Sequence, residues 1–125
     1  MTIRVGINGF GRIGRLALRA GFADPELEFV AINEPHADAA TMALLLEFDS
    51  VQGRWGHTCA ASDRGITVGD RELAYTMHAA PDEIPWRELG VDLVLECSGR
   101  YRTVELVEPH FQQGASRVLV SAPVK

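Results

Sequence analysis

Apolar and polar positions change their period along this chain, and the changes mark its elements. Ile3, Val5 and Ile7 alternate with Arg4 and Gly6, the two-residue period of a strand. After the strand the spacing lengthens. Ile13, Leu16, Ala17 and Ala20 recur at helical intervals and predict a helix over residues 12 to about 22, broken by Asp24-Pro25. Residues 28–33 carry Phe29, Val30, Ala31 and Ile32 without interruption, as a parallel strand covered on both faces does. Asp38 stands where a helix cap is expected, with Ala39, Met42, Ala43, Leu45 and Leu46 on the apolar side that follows. The pattern lapses over 49–56, which reads as a loop. Ile66-Thr67-Val68 and residues 72–77 predict two strands joined at Gly69-Asp70. A loop over 79–85 leads to a short helical turn at 86–89, ended by Gly90. A strand at 91–95 follows, with Cys97-Ser98-Gly99 as a turn at its carboxyl end. Thr103 is placed to cap a helix reaching about Gln113, before Gly114, and residues 117–121 predict the last strand.

Strands alternating with helices predict a Rossmann-type α/β fold: a doubly wound, mainly parallel sheet with helices on both faces, as one dinucleotide-binding domain over 1–125. Ligands of such sheets bind beyond the carboxyl ends of the strands. Asn8, Glu34, Ser98 and Ser121 all fall at or just past such ends.

The stretch between the first strand and the first helix is the most informative. Gly9-Phe10-Gly11-Arg12-Ile13-Gly14 is a G-x-G-x-x-G. Gly9 would permit the tight turn, Gly11 would let a pyrophosphate approach the backbone, and Gly14 would let the helix pack close to the sheet. The unpaired N–H groups and positive dipole end of the helix would hold the phosphates. Glu34, twenty positions after Gly14 and at the end of the second strand, supplies the carboxylate that such a fingerprint sets against the ribose hydroxyls. Glycines serving packing alone would give the same spacing. The strand before and the helix, strand and acidic residue after favour the cofactor reading.

Composition narrows the picture. Hydrophobic residues make up 46% and charged residues 23% of the 125, enough for a globular core. A formal net charge of −5 disfavours nucleic acid and anionic membrane as partners. No apolar run is long enough to span a bilayer and the N-terminus lacks signal-peptide character, so a cytoplasmic location is the expectation. Cys59 and Cys97 show neither disulfide nor zinc spacing. His57, His78 and His110 have no partners at metal or triad spacing, so no metal site is expected. His36 reads as a surface polar residue, Cys97 as a small buried one, and Trp55 and Trp86 as packing residues.

Taken together, these segments resemble the amino-terminal half of the glyceraldehyde-3-phosphate dehydrogenase family. The resemblance is carried by Ile7-Asn8-Gly9-Phe10-Gly11-Arg12-Ile13-Gly14-Arg15, Ala31-Ile32-Asn33-Glu34-Pro35 and Phe48-Asp49-Ser50-Val51-Gln52-Gly53-Arg54. Ile84-Pro85-Trp86, Glu96-Cys97-Ser98-Gly99-Arg100-Tyr101 and Ser121-Ala122-Pro123 complete it. Residues 45–51 and 95–99, with Ala122-Pro123-Val124-Lys125, look closest to the branch encoded beside an arsenical-export permease. Erythrose-4-phosphate dehydrogenase is a second similar group. The resemblance implies NAD as cofactor and an aldehyde phosphate as substrate. Oxidation would pass through a cysteine thioester, with phosphate, or arsenate in arsenic resistance, as acyl acceptor. It also implies a homo-oligomer.

Carried onto this chain, the resemblance gives the backbone of Arg12 and Ile13 to the pyrophosphate and Glu34 to the adenosine ribose. Ser98 and Tyr101 would lie on the adenine side and Ser121 on the nicotinamide side, with Gly99 also among the cofactor-binding residues. A carboxylate at Glu34 favours NAD over NADP, because it repels a 2′-phosphate. Three positions depart from the family pattern. Ala79 replaces an arginine beside the adenine, Gln52 replaces a histidine, and Arg100 replaces a small apolar residue and could pair with a 2′-phosphate. The family's nucleophile lies in a Ser-Cys-Thr-Thr-Asn-Cys run that these 125 residues do not contain. No catalytic residue is therefore assigned, and the chain alone is expected to be inactive. A non-catalytic NAD-binding module is the alternative.

Overall fold

A computed structural model describes residues 2–101 and 103–121. The predicted tail 122–125, part of the family resemblance, lies outside the described residues. The first strand, β1 (Ile3–Asn8), lies inside a seven-stranded sheet, next to its central strand. It pairs in parallel with β2 (Leu27–Asn33) on one side and with β8 (Leu93–Glu96) on the other. Beyond β2 the sheet continues through β7 (Arg71–Thr76), β6 (Gly65–Val68) and β5 (Cys59–Ala61); beyond β8 it ends at β9 (Arg117–Val120). The β2–β7 and β8–β9 pairs are parallel, while β5, β6 and β7 run antiparallel. The mainly parallel sheet of the sequence reading is therefore present, with an antiparallel margin.

The alternation in β1 divides the core. Val5 and Ile7 face one apolar cluster, with Leu18 of α1 (Arg12–Gly21) and Met42, Ala43 and Leu46 of α2 (Ala39–Glu47). On the other face Ala31, Val94 and Ala115 pack with Ile84, Val91 and Trp86, the last from the short helix α3 (Trp86–Leu89). Helices thus cover both faces, as the unbroken apolar run in β2 requires. Gly6 explains how the buried Trp86 fits. A Cβ there would lie 2.6 Å from the indole ring, so the missing side chain makes the slot. The remaining helix, α4 (Val104–Gln112), packs against β9 and is capped by the Thr103 hydroxyl, which accepts from Leu106 N at 3.2 Å. Asp38 caps α2 in the same way, accepting from Thr41 N at 2.8 Å.

Three stretches differ from the sequence reading. Residues expected as loop form a small antiparallel ribbon, β3 (Phe48–Asp49) against β4 (Gly53–Arg54). Its turn is closed by Asp49, whose Oδ2 accepts from Val51 N and Gln52 N. Strand β5 was not anticipated. Its Cys-Ala-Ala has no alternation to read, and its place is set by pairing with β6 and by Glu47, whose Oε1 accepts from Cys59 N at 2.8 Å. Within the 79–85 loop, Pro81–Glu83 makes one 3-10 turn.

Candidate functional site

The chain leaves β1 for β2 on one side and returns to β8 on the other. The carboxyl ends of β1 and β8 therefore flank the point where the winding reverses, the place where such sheets bind ligands. Gly9 turns out of β1 at φ +90°. A Cβ on it would lie 2.5 Å from Ser98 N and Cα, so the turn rests directly on the backbone after β8. Gly14 faces the Gly9 carbonyl oxygen closely enough that a Cβ would collide with it. Gly11 differs: a Cβ there would meet nothing within 4 Å. It precedes α1, whose start has no side-chain cap and no acidic residue in its first turn. The first N–H groups of that helix are left for an external acceptor.

A crevice of about 150 Å³ opens beside this turn. Asn8, Gly9, Gly11, Glu34, Ser98 and Tyr101 line it, so six of the sequence-predicted site residues are brought together. Phe10, Arg12, Ile13, Gly14, Gly99 and Ser121 are not in its wall. Phe10 is fully buried in the core and contributes through its backbone. Ser121 is exposed, with its N–H bonded to Glu96 O at 3.0 Å. The crevice is small beside a pocket that encloses a whole ligand, so it suits one end of a dinucleotide.

Glu34 is buried, and both oxygens are in use. Oε1 accepts from Phe10 N and Oε2 from His36 N, each at 2.8 Å. The carboxylate thereby ties the glycine turn to the loop after β2, while a carboxylate keeps further lone pairs for hydroxyl donors. His36 and His78, together with Pro35, the 79–81 segment and Arg100, also line the crevice. Tyr101 donates its hydroxyl to Ala79 O at 3.4 Å.

A polar network beneath the crevice was invisible to spacing arguments. Glu96, at the end of β8, is buried; Oε1 receives Asn8 Nδ2 at 2.7 Å and lies 2.8 Å from His110 Nε2. Its Oε2 accepts from Ser98 N at 2.9 Å and Ser98 Oγ at 2.5 Å. His110 therefore has partners after all, Glu96 and the indole N–H of Trp86 at 2.9 Å, contributed by two other elements.

Neither thiol is activated. Burial, aided by the Glu96 charge and offset by Ser121, pushes Cys97 up to about 11; burial and Glu47, offset by Arg19, do the same for Cys59. Among the described residues, no group of three or more His, Cys, Asp or Glu is placed to hold a metal ion. No helix among them is long and apolar enough to cross a membrane.

Comparison with known proteins gives the family. The chain is 51% identical, over all 125 of its residues, to "Glyceraldehyde-3-phosphate dehydrogenase 3" of a Nostoc species, covering 37% of that protein. It is 46% identical to "Glyceraldehyde-3-phosphate dehydrogenase 1" of Giardia intestinalis over 98% of the chain and 36% of the relative. It is 44% identical to "Glyceraldehyde-3-phosphate dehydrogenase, cytosolic" of Gracilaria gracilis, with 38% of that protein covered. The chain thus spans little more than a third of the curated relatives it matches. A family model described as "Glyceraldehyde 3-phosphate dehydrogenase, NAD binding domain" matches residues 3–104. The chain belongs to the glyceraldehyde-3-phosphate dehydrogenase family, through its NAD-binding domain.

Proposed function

We propose that residues 1–125 are the cofactor domain of an NAD-dependent, phosphorylating aldehyde dehydrogenase. The observation that carries this reading is the pairing of two features at the switch point. One is the uncapped start of α1 behind Gly11, where the backbone lies open. The other is the Glu34 carboxylate in the crevice wall. The first suits a pyrophosphate and the second a ribose diol. The ribose carboxylate and the two backbone donors it holds leave an acidic, preorganised end, which favours NAD over NADP. Arg100, which also lines the crevice, is a group that would favour a 2′-phosphate.

The bound nicotinamide would accept a hydride, and this chain's part is to hold and orient the dinucleotide. Cys59 and Cys97 are both held as thiols at neutral pH, so this reading places the nucleophile outside these 125 residues. The complete enzyme would act on an aldehyde phosphate in the cytoplasm, as a homo-oligomer. Phosphate would be the acyl acceptor, or arsenate if the phrases at 45–51 and 95–99 reflect the arsenic-resistance branch.

Calorimetric titration of the chain with NAD and NADP, beside Glu34→Ala, tests the cofactor assignment. Saturable NAD binding, weakened about tenfold or more in the variant, is expected from loss of hydrogen bonds to a charged acceptor. Tighter binding of NADP by the wild-type chain would overturn the role given to Glu34.

A further inference from the structure

We propose that Glu96 and His110 are positioning residues for the dinucleotide, acting through Ser98. Together they fix the Ser98 hydroxyl as a pure hydrogen-bond acceptor in the crevice floor. This deepens the cofactor reading above and rests on it for the identity of the ligand.

The polarity of the network follows from its two ends, each an unambiguous donor. At one end the backbone N–H of His78 donates to Asn33 Oδ1 at 2.9 Å, which orients the Asn33 amide. Its Nδ2 donates to Asn8 Oδ1 at 2.8 Å, which orients Asn8, whose Nδ2 then points at Glu96. At the other end an indole N–H only donates. Trp86 Nε1 faces His110 Nδ1, so that nitrogen accepts and the ring proton sits on Nε2, directed at Glu96 Oε1. Both relays converge on one carboxylate.

Glu96 therefore receives four donors: Asn8 Nδ2, His110 Nε2, Ser98 N and Ser98 Oγ. A carboxylate offers about four lone-pair sites, so the acceptor capacity is filled and a protonated acid would set a hydrogen against one donor. The single hydroxyl hydrogen of Ser98 is committed to Glu96. Its oxygen also accepts from Arg100 N at 3.2 Å, which leaves one lone pair on a residue that lines the crevice. The site at this point takes a donor from the ligand, either a ribose hydroxyl or the adenine amine. The His78 N–H, through Asn33, Asn8 and Glu96, and the buried Trp86 indole, through His110 and Glu96, specify that preference.

The test has a free-state arm and a binding arm. Nitrogen NMR of the wild-type chain should report His110 as the neutral Nε2–H tautomer. A neutral Nδ1–H form would overturn the proposal. His110→Gln retains an acceptor for Trp86 and a donor for Glu96, whereas His110→Phe retains neither. The Ser98 and Arg100 amide resonances should move in His110→Phe and stay near wild type in His110→Gln. Shifts confined to Trp86 and α4 would refute the positioning role. In NAD titrations His110→Phe should weaken binding about tenfold and His110→Gln by less than about threefold.

Coupling is the decisive readout. Ser98→Ala should weaken NAD binding in the wild-type background but add nothing in His110→Phe. Additive losses would mean that His110 only stabilises the fold. A hypoxanthine analogue of NAD, lacking the adenine amine, separates the two donors. Ser98→Ala should be silent toward it if the amine is the partner, and equally damaging if a ribose hydroxyl is. A wild-type chain that binds no NAD would remove the cofactor reading. The tautomer and the amide shifts would still decide whether His110 positions Ser98. Should His110→Phe not fold, Glu96→Gln replaces it, because an amide N–H would then face a ring of donors and release Ser98.

Discussion

At the scale of single residues, the three glycines of the turn make separable demands. Gly9 is held at φ +90° against the Ser98 backbone, and Gly14 against the Gly9 carbonyl, so both serve the fold whether or not a ligand is present. Gly11 touches nothing that a methyl group would disturb. Gly9→Ala and Gly14→Ala should each destabilise the chain by about 1–3 kcal/mol, because backbone atoms cannot yield as side chains do. Gly11→Ala should leave the melting temperature nearly unchanged and weaken NAD instead, by standing where the pyrophosphate approaches. Thermal unfolding and NAD titration of the three variants check this division. A Gly11→Ala variant that melts as early as Gly14→Ala would refute it. The glycines were legible in the sequence because their spacing and the strand and helix around them are local. The partners of Glu34 and Glu96 were not. Phe10 N and Asn8 Nδ2 reach those carboxylates only after the strands have paired, across 24 and 88 positions of chain.

At the scale of elements, legibility follows length. The alternation of β1, the apolar run of β2 and the caps of α2 and α4 were readable because each spans several residues of one period. The ribbon β3–β4 and strand β5 are too short for that, and a tertiary contact holds them. Glu47, buried at the end of α2, joins them: Oε1 takes Cys59 N and Oε2 takes Arg54 Nε at 2.9 Å. The Cys59 N–H chiefly, then Arg54, hold its carboxyl below the usual 4.5. The folded state therefore binds the proton less readily than the unfolded chain. The stabilisation is complete above the unfolded value and disappears as pH falls through the folded one. Glu47→Gln should accordingly be less stable than wild type at pH ~7, with a smaller gap at an acidic pH below the unfolded value. Urea unfolding at both pH values measures it; a gap that stays constant would show that shape, not charge, makes the contact. Asp38 and Asp49 are shifted downward chiefly by backbone donors, so wild type and Glu47→Gln alike keep an acid-sensitive slope.

At the scale of the whole molecule, two groups of large apolar side chains among the described residues are left open to solvent. One runs from α2 into the ribbon, where Leu44 is 59%, Phe48 48% and Val51 69% exposed. The other carries Val104 of α4 and Leu119 of β9. A helix as apolar as Ala39–Glu47 is ordinarily covered on more than one side, and here only its Met42, Ala43 and Leu46 side is buried. The crevice at the switch point opens on neither face, since none of these residues lines it. Self-association and cofactor binding should therefore vary independently. Sedimentation velocity of the 125-residue chain should show an oligomer that grows with concentration, and a Phe48→Glu/Val51→Glu variant should weaken it without altering NAD affinity. A monomer that persists at high concentration would show that these faces need no cover. Loss of NAD binding together with association would mean that a second copy completes the site, and that the crevice described by one chain is only part of it.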